Sequence, residues 1–323
     1  MEIFKLSPSI KGQPWGGARL CRDFNVPCPE KVDPEKIGEA WMLSCHPDSR
    51  SHVEGGTFGG KTLPVVLTSH PEYMGTHSKA FKRFPLLIKL IDAQEDLSIQ
   101  VHPDDEYAAE TRDRQGKTEL WYIIDAEPDA EIIYGFKREL TQEMLRRALY
   151  DGSIVEEVER FKVKAGDVFF LEAGTVHAIG KGVLLCEIQQ NSTAEYRMYD
   201  YDRVDEDGRR RPLRIENAID VAITVPPTVS PGAMSAPVRV DNHTEMLLGE
   251  CKYFSSTVVE TETMTRFFVG KESFVSIVMV SGEASFGTLD HSVALKKGES
   301  AFIPAGAGEI EVKGRAIFIM TTI

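Results

Sequence analysis

Two stretches far apart in the chain share one spacing, and this repeat restricts the possible folds more than any other feature. Gly166-Asp167-Val168-Phe169-Phe170-Leu171-Glu172-Ala173-Gly174-Thr175-Val176-His177 and Gly298-Glu299-Ser300-Ala301-Phe302-Ile303-Pro304-Ala305-Gly306-Ala307-Gly308-Glu309 each run from a glycine turn through a short apolar segment to a second glycine eight residues later. A polar side chain follows three residues on. Such self-similarity predicts two copies of one β-fold. The first copy ends in His177 and the second in Glu309, so only the first offers an imidazole there. Turn signals crowd the first ninety residues, at Pro14-Trp15-Gly16-Gly17, between Pro27 and Pro34, and at Gly55-Gly56 and Gly59-Gly60. They separate extended runs such as Glu39 to Ser44 and Pro85 to Ile91, the pattern of a mainly β protein built as sandwiches or barrels. Lys89 interrupts the second of these runs and either snorkels to solvent or projects into a pocket.

Helical spacing appears in the middle of the chain. Thr141 precedes Met144, Leu145, Ala148 and Leu149, and Gly152 closes the pattern. Ser153 with Glu156 reads as a capping box for a second helix carrying Ile154, Val155, Val158 and Phe161 on one side, so a small helical insertion is expected around 140–160. A further helix is expected around 212–223, with Pro212 near its start. Asp205-Glu206-Asp207-Gly208 reads as a hairpin turn and Arg209-Arg210-Arg211 as a solvated one. Pro226, Pro227, Pro231, Gly232 and Pro237 mark a connecting segment. The expected division is therefore 1–225, a linker over 226–240, and 241–323. A length of 323 residues suits about two domains.

Fifty acidic side chains against 37 basic ones give a net charge of -13, which argues against nucleic-acid binding while leaving room for a local basic pocket. No apolar run approaches the ~18 residues of a membrane span, and the N-terminal residues contain no stretch suited to a signal peptide. Cys21, Cys28, Cys45, Cys186 and Cys251 are odd in number and scattered. They point to buried thiols in a reducing cytoplasm and away from a thiolate metal centre. Any metal would be held by oxygen and nitrogen.

Such a set occurs from Leu97 to Glu119. Leu97, Ile99 and Val101 alternate with Ser98, Gln100 and His102, so a strand here turns one face to apolar core and the polar set to the other side. Pro103 and Asp104-Asp105 end it. Glu119 then opens a second extended run, Leu120 to Ile124. An amide oxygen, an imidazole and a carboxylate at adjoining strand ends suit a metal; the alternative is a solvated strand end with one hydrogen-bonded histidine.

The glycine-turn-histidine frame resembles the second motif of the cupin superfamily, with Glu172 where a proline is usual and Pro304 retained in the C-terminal copy. Gln100-Val101-His102-Pro103, Gly116-Lys117-Thr118-Glu119 and Gly174-Thr175-Val176-His177 together resemble type I mannose-6-phosphate isomerases of the short bacterial form. Glu187 to Asp200 is similar to the stretch carrying that family's essential arginine, and Trp15-Gly16-Gly17 and Gly38-Glu39-Ala40-Trp41 also fit. The resemblance covers most of the chain. It implies two cupin-type β-sandwich or jelly-roll barrels, the second without a metal site.

The resemblance further implies that Gln100, His102, Glu119 and His177 bind one Zn2+ per chain, and that Arg197 is required for turnover. Lys117 matches a lysine placed beside the metal carboxylate, and Ser98, Lys89 and Glu187 match positions lining the pocket. The implied reaction interconverts mannose 6-phosphate and fructose 6-phosphate through a cis-enediol. Lys117, Glu187 and a metal-bound water are alternative proton carriers, and manganese, iron or cobalt would suit the same donors. Isomerisation of another aldose or aldose phosphate, or a non-catalytic sugar-phosphate-binding role, are the competing functions. The expected partner is thus a small sugar phosphate rather than nucleic acid or membrane, and the chain is expected to be a monomer or homodimer.

Overall fold

The structure, a computed structural model, describes residues 1–111, 115–204, 208–228 and 230–323. The hairpin turn expected at Asp205-Glu206-Asp207-Gly208 has its first three residues outside the described ones. Strands predominate, and no helix among the described residues is long and apolar enough to cross a membrane. The chain divides into two compact units, one of residues 1–12, 18–90 and 233–323, the other of 13–17 and 91–232.

The first unit is built on a ten-stranded antiparallel sheet. Its long strand Gly308–Thr322 lies between Ser255–Thr261 and Val275–Gly287. Phe4–Ser7 pairs with Ser300–Ile303 on one side and His52–Glu54 on the other, so the first ninety residues group largely with the C-terminal repeat. Ile277, Phe286, Ile310, Val312 and Phe318 form its core. Gly298 and Gly306 both take positive φ around the strand Ser300–Ile303, and Glu309 beyond them is exposed and 3.8 Å from Arg266. The last residues of the expected linker, Val238–Val240, form a strand of this sheet. Cys21 and Cys28 are joined in a disulfide, which corrects the reading of all five cysteines as buried thiols. Cys45, Cys186 and Cys251 are free. The two Cα atoms lie 5.8 Å apart across a separation of seven, a proximity that scattered positions do not reveal.

The second unit contains, in order, β1 (Ile99–Val101), α1 (Asp105–Ala109), β2 (Glu119–Ala126), β3 (Glu131–Phe136), α2 (Gln142–Asp151), α3 (Ile154–Glu157), β4 (Val158–Lys162), β5 (Val168–Leu171), β6 (His177–Ile179), β7 (Val183–Gln190), β8 (Tyr196–Tyr199) and α4 (Ile215–Val221). One antiparallel sheet runs β4-β3-β6-β1-β8, and β5-β2-β7 lie side by side in another. Ile99, Val101, Ala178, Tyr196 and Met198 share a core with Leu145, Leu149, Ala218 and Ile219 of α2 and α4. Ile132, Tyr134 and Ile179 share a second core with Trp121, Ile123, Phe169, Leu171 and Leu185 of the other sheet. The five-stranded sheet is therefore covered on both faces. Each Leu or Ile so buried contributes about 1.5–3 kcal/mol.

Thr141 caps α2 as expected, its side chain accepting from Met144 N at 3.2 Å, and Gly152 ends that helix in the left-handed region. The second helix departs from expectation. Ser153 Oγ donates to Asp151 Oδ1 at 2.6 Å instead of capping, α3 is four residues long, and Val158–Lys162 is a strand paired with β3. Val158 and Phe161 fit a helical face locally, but the ladder offered by β3 decides their conformation. The helix near Pro212 begins at Ile215.

Candidate metal centre

Strand register places the polar residues. On the five-stranded sheet Gln100 of β1 lies opposite His177 of β6 on one side and Arg197 of β8 on the other, so the three form a row across one face. On the other sheet Glu119 of β2 lies opposite Gln189 of β7, and Trp121 opposite Glu187 one step along the same face. His102 follows β1 directly and is carried by the strand end that Pro103 terminates. The apolar alternates Ile99 and Val101 face the helices. Gln100, His102, Glu119 and His177 are all buried, so this is no solvated strand end.

His177 reaches its place through Gly174. The glycine has φ +91°, and a Cβ there would lie 2.8 Å from Val221 O, so a side chain is excluded by conformation and by space. His177 Nδ1 bonds to Thr175 O at 2.8 Å; since a carbonyl only accepts, Nδ1 carries the proton and Nε2 the lone pair. Lys117 Nζ donates to His102 Nε2 at 3.0 Å, so that nitrogen is also an acceptor. The two acceptor nitrogens are 3.1 Å apart. Glu119 Oε1 is 3.3 Å from His177 Nε2 and Oε2 is 3.5 Å from His102 Nε2. Gln100 Oε1 and Glu119 Oε1 are buried with no hydrogen-bond partner.

Acceptors crowded together out of reach of water repel one another unless a cation joins them. Metal–nitrogen and metal–oxygen bonds of about 2.0–2.1 Å in a tetrahedron place ligand atoms about 3.3–3.4 Å apart, close to the three separations above. The ligand atoms of His102, Glu119 and His177 all lie within 4.8 Å of one another. The residues present thus fit a divalent cation. Burial, reinforced by Lys117, takes His102 down to about 3, and burial likewise lowers His177, so both imidazoles are neutral. Burial by itself would raise Glu119, but the Lys117 ammonium 2.8 Å away holds it well below the usual carboxylate range. With neutral imidazoles its ion-pair partner is Lys117.

Arg197 stands at the end of the Gln100 row. Its Nε donates to Ser98 Oγ at 3.3 Å, Nη1 to Pro212 O at 3.1 Å, and Nη2 to Glu195. Glu187 is buried and accepts from Trp121 Nε1 at 3.1 Å, while the Trp121 ring meets His177 edge-on with centroids 5.4 Å apart. Gln100, His102, Lys117, Glu119, His177, Glu187, Ser98 and Arg197 all belong to the second unit. Lys89 belongs to the first, where its ammonium lies 5.5 Å from the centroid of Trp41. Sequence reasoning assigned no role to Trp121, Glu195 or Thr175. Trp121 was accessible in principle, two residues beyond Glu119 on the same strand face; the carbonyl of Thr175 carries no signal in its residue type.

Comparison with known proteins comes from three directions. Residues 3–138 match the phosphomannose isomerase type I catalytic domain, and residues 243–323 match the mannose-6-phosphate isomerase cupin domain. Mannose-6-phosphate isomerase ManA of Bacillus subtilis is 39% identical over 99% of this chain and 98% of its own length. Mannose-6-phosphate isomerase of Streptococcus mutans is 43% identical over 68% of each chain. The crystal structure of the mannose 6-phosphate isomerase from Bacillus subtilis superposes with a TM-score of 0.91 at 35% identity, covering all of both chains.

Proposed function

This chain belongs to the type I phosphomannose isomerase family, and from that premise we propose that it interconverts mannose 6-phosphate and fructose 6-phosphate, with Gln100, His102, Glu119 and His177 holding one zinc ion per chain. The convergence of buried acceptors from His102, His177 and Glu119, with Lys117 beside them, is the observation that most supports this reading. In the opened aldose a base removes the proton on carbon 2. The electron pair becomes the double bond of a cis-enediol and the former carbonyl oxygen gains charge or a proton. Return of a proton to carbon 1, with loss of the hydroxyl proton on the carbon 2 oxygen, completes the ketose.

When bound, zinc supplies Lewis-acid charge to the sugar oxygens where negative charge develops. The chain's own residues supply the rest. Arg197 carries five N–H donors, and its bonds to Ser98, Pro212 and Glu195 leave it further capacity to stabilise the enediolate or hold the sugar. Lys117 places a second basic side chain beside Glu119. Glu187, oriented by the Trp121 indole, and Lys117 are the side chains proposed to carry the proton between carbons. Ser98 and Glu187 are the proposed substrate contacts, and the phosphate dianion needs local cations because the chain as a whole carries -13.

The test is isomerisation of mannose 6-phosphate by the purified protein before and after chelation, with metal content measured on the same sample. Activity that vanishes on chelation and returns with zinc is the expected result. A folded, zinc-loaded protein that leaves mannose 6-phosphate unchanged but isomerises another aldose phosphate would overturn the substrate assignment.

A further inference from the structure

We propose that Gln190 and Asp105 form a clamp whose purpose is to position Lys117, making both of them positioning residues for proton transfer; this rests on the role given to Lys117 above. Three successive backbone amides around that lysine are each held by a different group. Gly116 N donates to Asp105 Oδ1 at 2.9 Å, Lys117 N to Pro103 O at 2.9 Å, and Thr118 N to Gln190 Oε1 at 2.8 Å. The two side chains are themselves joined, Gln190 Nε2 donating to Asp105 Oδ1 at 3.0 Å. Gln190 N returns a bond to Thr118 O at 3.1 Å, and Ser192 Oγ donates to Gln115 O at 2.9 Å.

The clamp joins three elements that bear the site. Asp105 opens α1 just after His102, Gln190 ends β7 just after Glu187, and between them they grip the segment leading into Glu119. Gln190 is 1% exposed, and an amide so buried is costly unless bonded. Here its oxygen accepts from Thr118 N and its nitrogen donates to the Asp105 carboxylate that in turn holds Gly116 N. Gly116 fits the same design, since a Cβ there would lie 2.5 Å from the backbone of Asp104 and Asp105. Lys117 then projects with its ammonium on Glu119 and His102, at 2.8 and 3.0 Å. Misplacement of a reacting group by about 1 Å can cost on the order of 10²-fold in rate, so a lysine lying just before the start of β2 needs such a hold.

Gln190→Met keeps the side chain's length and removes both hydrogen bonds. It is expected to lower kcat about 10- to 100-fold while KM and zinc content change little. Asp105→Ala should do the same, whereas Asp105→Asn keeps an acceptor at Oδ1 and should stay within about twofold of the parent. Added to Lys117→Met, Gln190→Met should change kcat by less than about twofold, because the two act as one unit. An undiminished kcat in folded Gln190→Met, an additive loss in the double variant, or parallel loss of zinc would each overturn the proposal. Should Gln190→Met fail to fold, the contrast between Ala and Asn at half-buried Asp105 decides by the same measures. Lys117→Met with a normal kcat would instead sink the role given to Lys117, an outcome readable apart from the clamp.

Discussion

His102 is held neutral by a site whose other groups are acceptors and one ammonium, and this sets what acid does to the metal-free protein. An unfolded imidazole titrates near 6.5, whereas the folded one is pushed down to about 3, so between these values the unfolded chain binds the extra proton. Stability therefore falls as pH drops from about 6.5, and below the usual carboxylate range Glu119 adds to the loss because its folded pKa is depressed. The melting temperature of the metal-free protein should decline between about pH 7 and pH 5, and His102→Gln should flatten that decline; a decline identical in parent and variant would refute it. His177→Ala should lose zinc and activity together. Arg197→Ala, which removes no candidate ligand, should keep zinc and lose about 10²- to 10³-fold in kcat, the scale of one lost charge-stabilising donor. At this scale residue type and strand alternation made Gln100, His102 and Glu119 candidates, and the family resemblance supplied His177, Lys117 and Arg197. The tautomer of His177 was not legible, because a backbone carbonyl two residues away sets it.

Elements carry these side chains only if their ends are secure. Gly174 lets β6 begin at His177, and Gly174→Ala should cost at least about 2 kcal/mol, from left-handed backbone and the collision with Val221 O, together with loss of metal affinity. Urea denaturation and zinc titration of that variant check both parts; an unchanged midpoint would mean the turn can relax. Thr141→Ala removes the cap of α2 and should cost about 1 kcal/mol without altering kcat, since α2 covers the opposite face of the five-stranded sheet. The first helix was legible because cap, apolar spacing and terminal glycine agree within a dozen residues. Val158–Lys162 was misread as helix because its partner β3 lies more than twenty residues earlier, and pairing energy outweighs a weak local preference.

Over the whole molecule, metal and fold are linked through mass action. A ligand present at about 100 times its Kd stabilises the folded chain by about 2.7 kcal/mol, so chelation should lower the melting temperature of the parent and leave that of Glu119→Gln/His177→Ala nearly unmoved. Calorimetry with and without chelator measures the difference. From the sequence alone came the mainly β class, the two glycine frames, the asymmetry of His177 against Glu309, and an acidic charge that argues against nucleic-acid binding. These depend on spacing, composition and residue type, which are local and additive. The tertiary structure decided that Phe4–Ser7 joins the sheet of the C-terminal repeat, that Cys21 meets Cys28, and that Gln190 reaches the amides beside Lys117. Each is a pairing between residues separated in the chain, chosen by competition among many alternatives of similar local merit, and only the packed chain selects one of them.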